Sequence, residues 1–522
     1  MRNILSQAKS SNRWLAIGLT ALAVLFTACK NSNEPSGPTG KAKYTVIVYA
    51  NGGENLDYSA ENDISEAAEY IKTKENDFSV RMFVYMKYSS QKGFDKQRKY
   101  PFEETGKMYT PGGKADEVYF YEVGSECINF TNDKEMQLLS LPDQWIVDNK
   151  DAAMYEPDYI ASVLKNVAKN APAENYILVL AGHASGWEPD EDGDYPAPAK
   201  VTASAITDAV YDDRAIKAKE LHDGIQKSGI SVRAIVFDCC LQNSIEYLSE
   251  LTDVTTYTLG SGHTTHGGNY AALIKELFAA SEGQAGLKKA LSNYAEVYAK
   301  QHKDDYEQNN HDQVLMNVDF AVVEMAKLPA VWTSLKKIVD YMCANVKDSA
   351  KYEIPSRQCY QYYNASAKYD LTDYLSKMTK EGAPYEGDST YQQLFNGVYY
   401  SLEEAIVHHA YALHYASNVP EDKDAPKMSM NINLGAKGRM QDVFEATSAG
   451  YSCYDSEGKE WIFSPTGTTW TAGSETNVHY NWQYSYGQSI FDQKTGWTRW
   501  IKLNPVMPYG NPPIGDEEDS NE

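Results

Sequence analysis

The chain lacks a basic surplus: 48 lysines and arginines face 72 aspartates and glutamates, a formal net charge of −24 over 522 residues. Residues 1–28 carry Arg2, Lys9 and Arg13 and no acid, so removing them leaves −27. Nucleic-acid binding needs a basic footprint, which excludes nucleic acid as a partner. A surface this acidic attracts basic peptides and cations instead. Cysteine is scarce as well. Beyond Cys29 there are only Cys127, Cys239, Cys240, Cys343, Cys359 and Cys453, without the spacing of a disulfide framework. No Cys/His cluster has zinc spacing, so no metal site is expected. After residue 26 no apolar run is long enough to cross a bilayer, and there is no internal repeat. What is plentiful is tyrosine, forty in all, the mark of a surface of secreted type.

The N-terminus reads as a targeting segment rather than as part of the fold. A basic start leads into an apolar stretch over residues 14–26, then Thr27, Ala28 and Cys29. "FTAC" resembles a bacterial lipobox, with Phe26 where leucine is usual, which implies cleavage after residue 28 and lipidation of Cys29. A plain secretion signal with a chance cysteine is the alternative. Residues 29–42 are polar and read as a flexible tether. The expected location is the cell envelope, lipid-anchored at the outer membrane or cell surface.

Downstream, apolar runs alternate with amphipathic stretches. "YTVIVYA" (44–50), "FSVRMFVYM" (78–86), "NYILVLAGH" (175–183), "VRAIVFD" (232–238) and "VTTYTLGSG" (254–262) read as strands, with "EVYFYEVG" (117–124) as a strand in a β excursion. Residues 157–170 and 217–227 have helical spacing. Continuous apolar strands between amphipathic helices predict an α/β fold, a mostly parallel sheet sandwiched by helices, over 43–326. Residues 327–426 read as mainly helical and 427–512 as a small β-rich region. The latter holds Trp461, Trp470, Trp482, Trp497 and Trp500, which serve as its core or as a sugar-stacking face. Residues 513–522 form a disordered acidic tail.

In open parallel sheets functional side chains collect at the carboxyl ends of the strands. His183 ends one predicted strand; Cys239 and Cys240 end another. An imidazole within reach of a thiol can take its proton, the logic of a Cys/His hydrolase, and a helix starting just after the cysteines would add its dipole. Neighbouring strand residues face opposite ways, so only one of the two thiols faces the histidine.

"YILVLAGHASGW" (176–187) and "IVFDCCLQNSIEYL" (235–248) closely resemble the two signature blocks of the clostripain family, cysteine peptidases of caspase-like fold. His183, Gly186 and Trp187 match the first block; Asp238, Cys240 and Leu241 match the second. "YTVIVYANGGENLDYSAENDISEA", "AKELHDGIQ", "YDLTDYLSKM" and "MSMNINL" look like further family elements, in order over roughly 43–435. The resemblance implies that Cys240 is the nucleophile, His183 its acid/base partner, and Cys239 a packing residue at the family's alanine position. It implies backbone N–H groups at Ala184 and Cys240 as the oxyanion hole. It also implies Asp238 in the S1 pocket, pairing with Arg or Lys at P1, where the bland alternative is a helix cap. Trp187 and Ser261 are carried over as substrate-binding positions.

Three departures are visible. Ala184 replaces the family glycine, Gln242 replaces methionine, and Gly262 and His263 stand where acids are often found. His263 and His266 are rival imidazoles at the same sheet edge, without the signature around them.

The expectation is an exported, lipid-anchored monomeric cysteine endopeptidase acting on proteins or peptides through a thioester acyl-enzyme, with basic P1 preference. The alternative is an inactive lipoprotein on a peptidase scaffold that binds glycan or protein. No cofactor is required, although "EPDEDGDY" (188–195) makes calcium an option, without EF-hand spacing. Lys200 and Arg214 are candidate self-cleavage points in an exposed loop spanning 189–215.

Overall fold

The computed structural model describes residues 41–74, 76–99, 106–124, 128–131, 134–184, 186–187, 205–208, 214–263, 265, 267–308, 317–345, 359, 362, 368–413, 428–433, 446–447, 450–454, 460–463, 470–472, 489–497 and 499–500. The signal segment, Cys29, the acidic stretch 188–195, Lys200, His266, Trp482 and the acidic tail lie outside them.

Strand β1 (Ala42–Asn51) is buried along nearly its whole length, which is why its apolar run is unbroken rather than alternating. Helix α1 (Asp57–Lys72) returns the chain to β2 (Val80–Lys87), parallel to β1. Two antiparallel strands, β3 (Val118–Glu122) and β4 (Ile146–Asp148), finish that side of the sheet. Helix α2 (Pro157–Asn170) opens with proline at its first turn and buries Ile160, Val163, Leu164 and Val167 at helical spacing. It delivers β5 (Ala173–Ala181) to the other side of β1. Helix α3 (Ala218–Ser228) packs on α2; Gly224 permits this, since a Cβ there would lie 2.7 Å from Ile160 Cγ2. β6 (Val232–Asp238) and β7 (Tyr257–Gly260) follow in parallel, joined through the short helix α4 (Ile245–Ser249). After α5 (Tyr270–Ala279) and α6 (Gly283–Gln308), β8 (Asn317–Glu324) pairs antiparallel with β7.

The sheet does not stop at residue 326. Helices α7 (Leu328–Ala344) and α9 (Ser389–Ala405) pack against each other, and β10 (Ile406–Leu413) adds an antiparallel edge beside β8. The stretch read as a separate helical region therefore extends the same body. Between these helices, β9 (Lys368–Asp370) precedes helix α8 (Leu371–Lys377) and pairs antiparallel with β11 (Asn431–Asn433). The nine-stranded order is β10-β8-β7-β6-β5-β1-β2-β3-β4, with five parallel strands at its centre.

Strand alternation splits the core into two layers. Ile47, Leu178, Ile235 and Phe237 face α2, α3, α7 and α9; Val46, Val179 and Val236 face α1, α5 and α6. Burying both faces is the main stabilising term of such a sheet. Helix α10 (Ile490–Thr495) packs on α4 and α7, and the nearby Trp497 and Trp500 are buried in the first layer, the latter donating to the Tyr374 hydroxyl at 2.8 Å. These two tryptophans belong to the core, so the sugar-stacking option does not hold for them. Trp461 and Trp470 lie on two strands of a separate four-stranded antiparallel sheet. Among the described residues no helix is long and apolar enough to cross a membrane.

Candidate active site

The strand order reverses at β1, since β2 lies on one side and β5, β6 and β7 on the other. The crevice beyond the carboxyl ends of β1 and β5 is therefore a topological switch point, the place where such sheets bind ligands. Register sets what reaches it. Ala50, Ala181 and Asp238 lie abreast on β1, β5 and β6. His183 and Cys240 each follow two residues after that line, so they leave neighbouring strands at the same height.

Alternation separates the cysteines as expected. Cys239 joins Phe237 and Ile245 in the layer beneath α2 and α7, almost fully buried, and burial pushes its thiol well above the ordinary range. Cys240 points the other way and is more accessible. Its thiol is cradled by Thr265, donating to that carbonyl at 3.8 Å and accepting from that N–H at 3.4 Å. Burial raises its pKa, the Thr265 N–H opposes this, and the charge of Asp238 adds to the rise. The resting site thus favours a neutral thiol, which needs a base to become a nucleophile. The helix expected directly after the cysteines begins only at Ile245. Between them lies a turn with Leu241 at φ 62°, a left-handed conformation costing a non-glycine residue roughly 1–2 kcal/mol.

That turn is held from three sides. Leu241 N–H donates to the His263 carbonyl (2.8 Å) and Asn243 N–H to the Ser261 carbonyl (3.0 Å). Asn431 on β11 donates its Nδ2 to the Leu241 carbonyl (3.0 Å), and Asn243 donates its side-chain amide to the Ser429 carbonyl. Gly186 packs against the Leu241 carbonyl, where a Cβ would intrude to 2.6 Å, so the first signature block needs glycine there.

His183 is half-buried, with Nε2 2.5 Å from Asn55 Oδ1. Gly53, at φ +52°, lies against the ring edge; a Cβ there would sit 2.9 Å from Cδ2. His263 takes a different place. It is buried, edge-on to Tyr362 at 4.8 Å, with its N–H on Ser261 Oγ. It packs in the interior against Tyr362, whereas His183 stands half-buried at the strand end.

Asp238 does not cap the following helix; Ser244 occupies the N-cap position. Its buried carboxylate accepts the Tyr270 hydroxyl at 2.6 Å. Asp63 of α1 comes to the same place, accepting Gly268 N–H at 2.9 Å, and a Cβ on Gly268 would lie 3.1 Å from Asp238 Oδ2. Desolvation lifts Asp238 to about 6, against the hydrogen bonds from Tyr270 and Gly268. Desolvation, then the neighbouring Asp238 charge, raises Asp63 well above the carboxylate range. Two buried carboxylates this close hold on to a proton unless a cation arrives.

Ala184 follows His183 at the mouth of the site, half-buried. The other carried-over positions turn inward. Trp187 is buried in the layer beneath α2. Ser261 is buried and donates to Asp319 Oδ1 at 3.0 Å, which also receives Gly262 N–H. Both build the wall behind the site rather than its surface. Arg214 begins the short strand Arg214–Ile216. Among the described residues no group of three His, Cys, Asp or Glu side chains could hold a metal.

A parallel-centred α/β/α sandwich with histidine and cysteine ending adjacent strands at its switch point is the build of a caspase-like cysteine peptidase. The chain belongs to the clostripain family, whose profile matches residues 48–461. It is similar to the solved structure of iotapain, a secreted C11 cysteine protease from Bacteroides thetaiotaomicron: TM-score 0.51 and 17% identity, over 76% of this chain and 94% of that one. A secreted C11 cysteine protease from the same organism, in complex with an irreversible peptide inhibitor, gives TM-score 0.50 and 16% identity over 87% and 99%. At such identities the likeness shows the fold, and the family rests on the profile. No curated protein matches the chain. The protein is a cysteine endopeptidase, and its substrates are peptides.

Asn55 and Asp63 lie within the stretch that resembles the family's first strand and helix, and Asn431 within "MSMNINL", but nothing local assigns these residues or Tyr270 to the site beyond the "NGG" turn just before Asn55.

Proposed function

We propose that the protein is an exported, lipid-anchored endopeptidase that cleaves after Arg or Lys through a Cys240–His183 dyad. The observation that carries this reading is the placement of both residues two positions beyond a paired line on adjacent parallel strands. His183 takes the thiol proton as Cys240 Sγ attacks the scissile carbonyl, then returns it to the leaving amine as the C–N bond breaks. Water hydrolyses the resulting thioester. The Ala184 and Cys240 N–H groups receive the oxyanion. Asp238, with Asp63 beside it, supplies the negative floor for a P1 cation, and no ion pair engages either among the described residues. The lipobox-like "FTAC" supports export and anchoring through Cys29, and both solved relatives are described as secreted. Lys200 and Arg214 remain the proposed self-cleavage points.

The test uses the mature protein against reporter peptides with Arg, Lys, Ala or Glu at P1. Wild type and Cys239→Ala cleave after Arg and Lys, whereas Cys240→Ala and His183→Ala stay folded and inert. Activity surviving in Cys240→Ala would overturn the nucleophile, and equal cleavage after Ala or Glu would overturn the specificity.

A further inference from the structure

The dyad leaves one question of geometry open, namely what holds the imidazole. A histidine on a loop has two ring faces and two tautomers, and only one combination presents a lone pair to the thiol. Asn55 Oδ1 lies 2.5 Å from His183 Nε2. An amide oxygen is only an acceptor, so it demands a hydrogen on Nε2 and leaves the lone pair on Nδ1.

The loop carrying Asn55 is built to hold that oxygen still. Gly53 N–H donates to Asn51 Oδ1 at 3.0 Å. The N–H groups of Asn55 and Leu56 both return to the Gly52 carbonyl, at 3.2 and 2.7 Å. The Glu54 carboxylate receives the Ser90 hydroxyl at 2.9 Å, tying the loop to the end of the β2 segment. Gly53 then brings backbone against the ring edge at Cδ2, which a side chain there would block. The imidazole is thus fixed in plane by a hydrogen bond and in rotation by a close contact.

We infer that Asn55 is a positioning residue for His183, which extends the dyad to an ordered Cys240–His183–Asn55 array drawn from the ends of β6, β5 and β1. This rests on the dyad reading above. In the reaction the Cys240 thiol proton passes to Nδ1 and from there to the leaving amine, while Nε2–H stays on Asn55 throughout. Asn55 exchanges no proton. It keeps the ring aligned in both the neutral and the charged state, as third groups do in other nucleophile–histidine systems.

The experiment is a kinetic comparison of wild type, Asn55→Ala and Asn55→Asp on one Arg-P1 peptide across pH 5–10, with His183→Ala and Cys240→Ala alongside. Asn55 is exposed, so both of its variants fold. Asn55→Ala lowers kcat roughly ten- to a hundredfold, with KM within about twofold, the loss expected of a misaligned general base. Asn55→Asp restores much of kcat. It also moves the limb that titrates the imidazole to higher pH by about one unit, because a carboxylate favours the imidazolium. Unchanged kcat and an unmoved limb in both Asn55 variants, with His183→Ala inert, would overturn the role of Asn55 alone. Retained activity in His183→Ala would overturn the dyad itself.

Discussion

Replacing Asp238 by asparagine separates what the site does for substrate from what it does to the fold. The Asp238 carboxyl is buried, and desolvation raises it from 3.8 to about 6. A carboxyl whose folded pKa lies above its unfolded value binds protons more tightly in the native state. Its favourable contribution is therefore complete below pH 3.8 and is lost as pH rises through 6. A rise of this size corresponds to about 3 kcal/mol in all, of which about 2 kcal/mol falls between pH 4 and pH 8. Asparagine keeps an acceptor for the Tyr270 hydroxyl and has nothing to titrate.

Thermal unfolding of wild type and Asp238→Asn, followed at pH 4 and pH 8, measures the term. The two are expected to match closely at pH 4. At pH 8 the variant gains about 2–3 kcal/mol over wild type, since Asp63 is also relieved of a neighbouring charge. Other buried acids, such as Glu61 at about 8 and Asp57 at about 6, tilt both curves alike and cancel in the difference. The same variant loses its preference for Arg and Lys at P1. A stability difference that stays flat across this range refutes the claim that a desolvated carboxylate is held ready for a cation.

Other outcomes follow from the same geometry. Cys239→Ala removes one buried sulfur from the layer beneath α2, costs about 1 kcal/mol in unfolding free energy, and leaves peptide cleavage intact. Asn431→Ala withdraws the donor from the Leu241 carbonyl at a buried position. It costs about 1–3 kcal/mol and lowers kcat about tenfold with little change in KM, measured by steady-state kinetics beside a melting curve. Expressed as the full precursor in a bacterial host, the protein fractionates with membranes and Cys29→Ser does not; a wild-type protein found only in the soluble fraction rejects the lipid anchor.

Much of the fold was legible because strands buried on both faces must be apolar along their whole length, and amphipathic helices between them mark the crossovers. The same reasoning placed His183 and Cys240, since ends of parallel strands share an edge. It parted Cys239 from Cys240, because strand neighbours face opposite layers. Elsewhere local pattern was not enough. β10 joins the sheet from beyond residue 400, and "IVHHAYAL" has no mark to distinguish an edge strand from the end of the preceding helix. Ser261 and Trp187 sit in matching motifs, yet both turn into the interior.

The sequence by itself determined the three-layer architecture, the placing of one histidine and one cysteine at the ends of adjacent strands, and the burial of the second thiol, because each depends on periodicity and strand order within short segments. Only tertiary structure decided how the site is held and what charge it presents. Asn55 reaches a histidine 128 positions away, Asn431 a turn 190 positions away, and Asp63 meets the Gly268 N–H 205 positions along the chain, beside Asp238. Contacts of that span leave no local pattern, because each is set by where whole strands and helices dock.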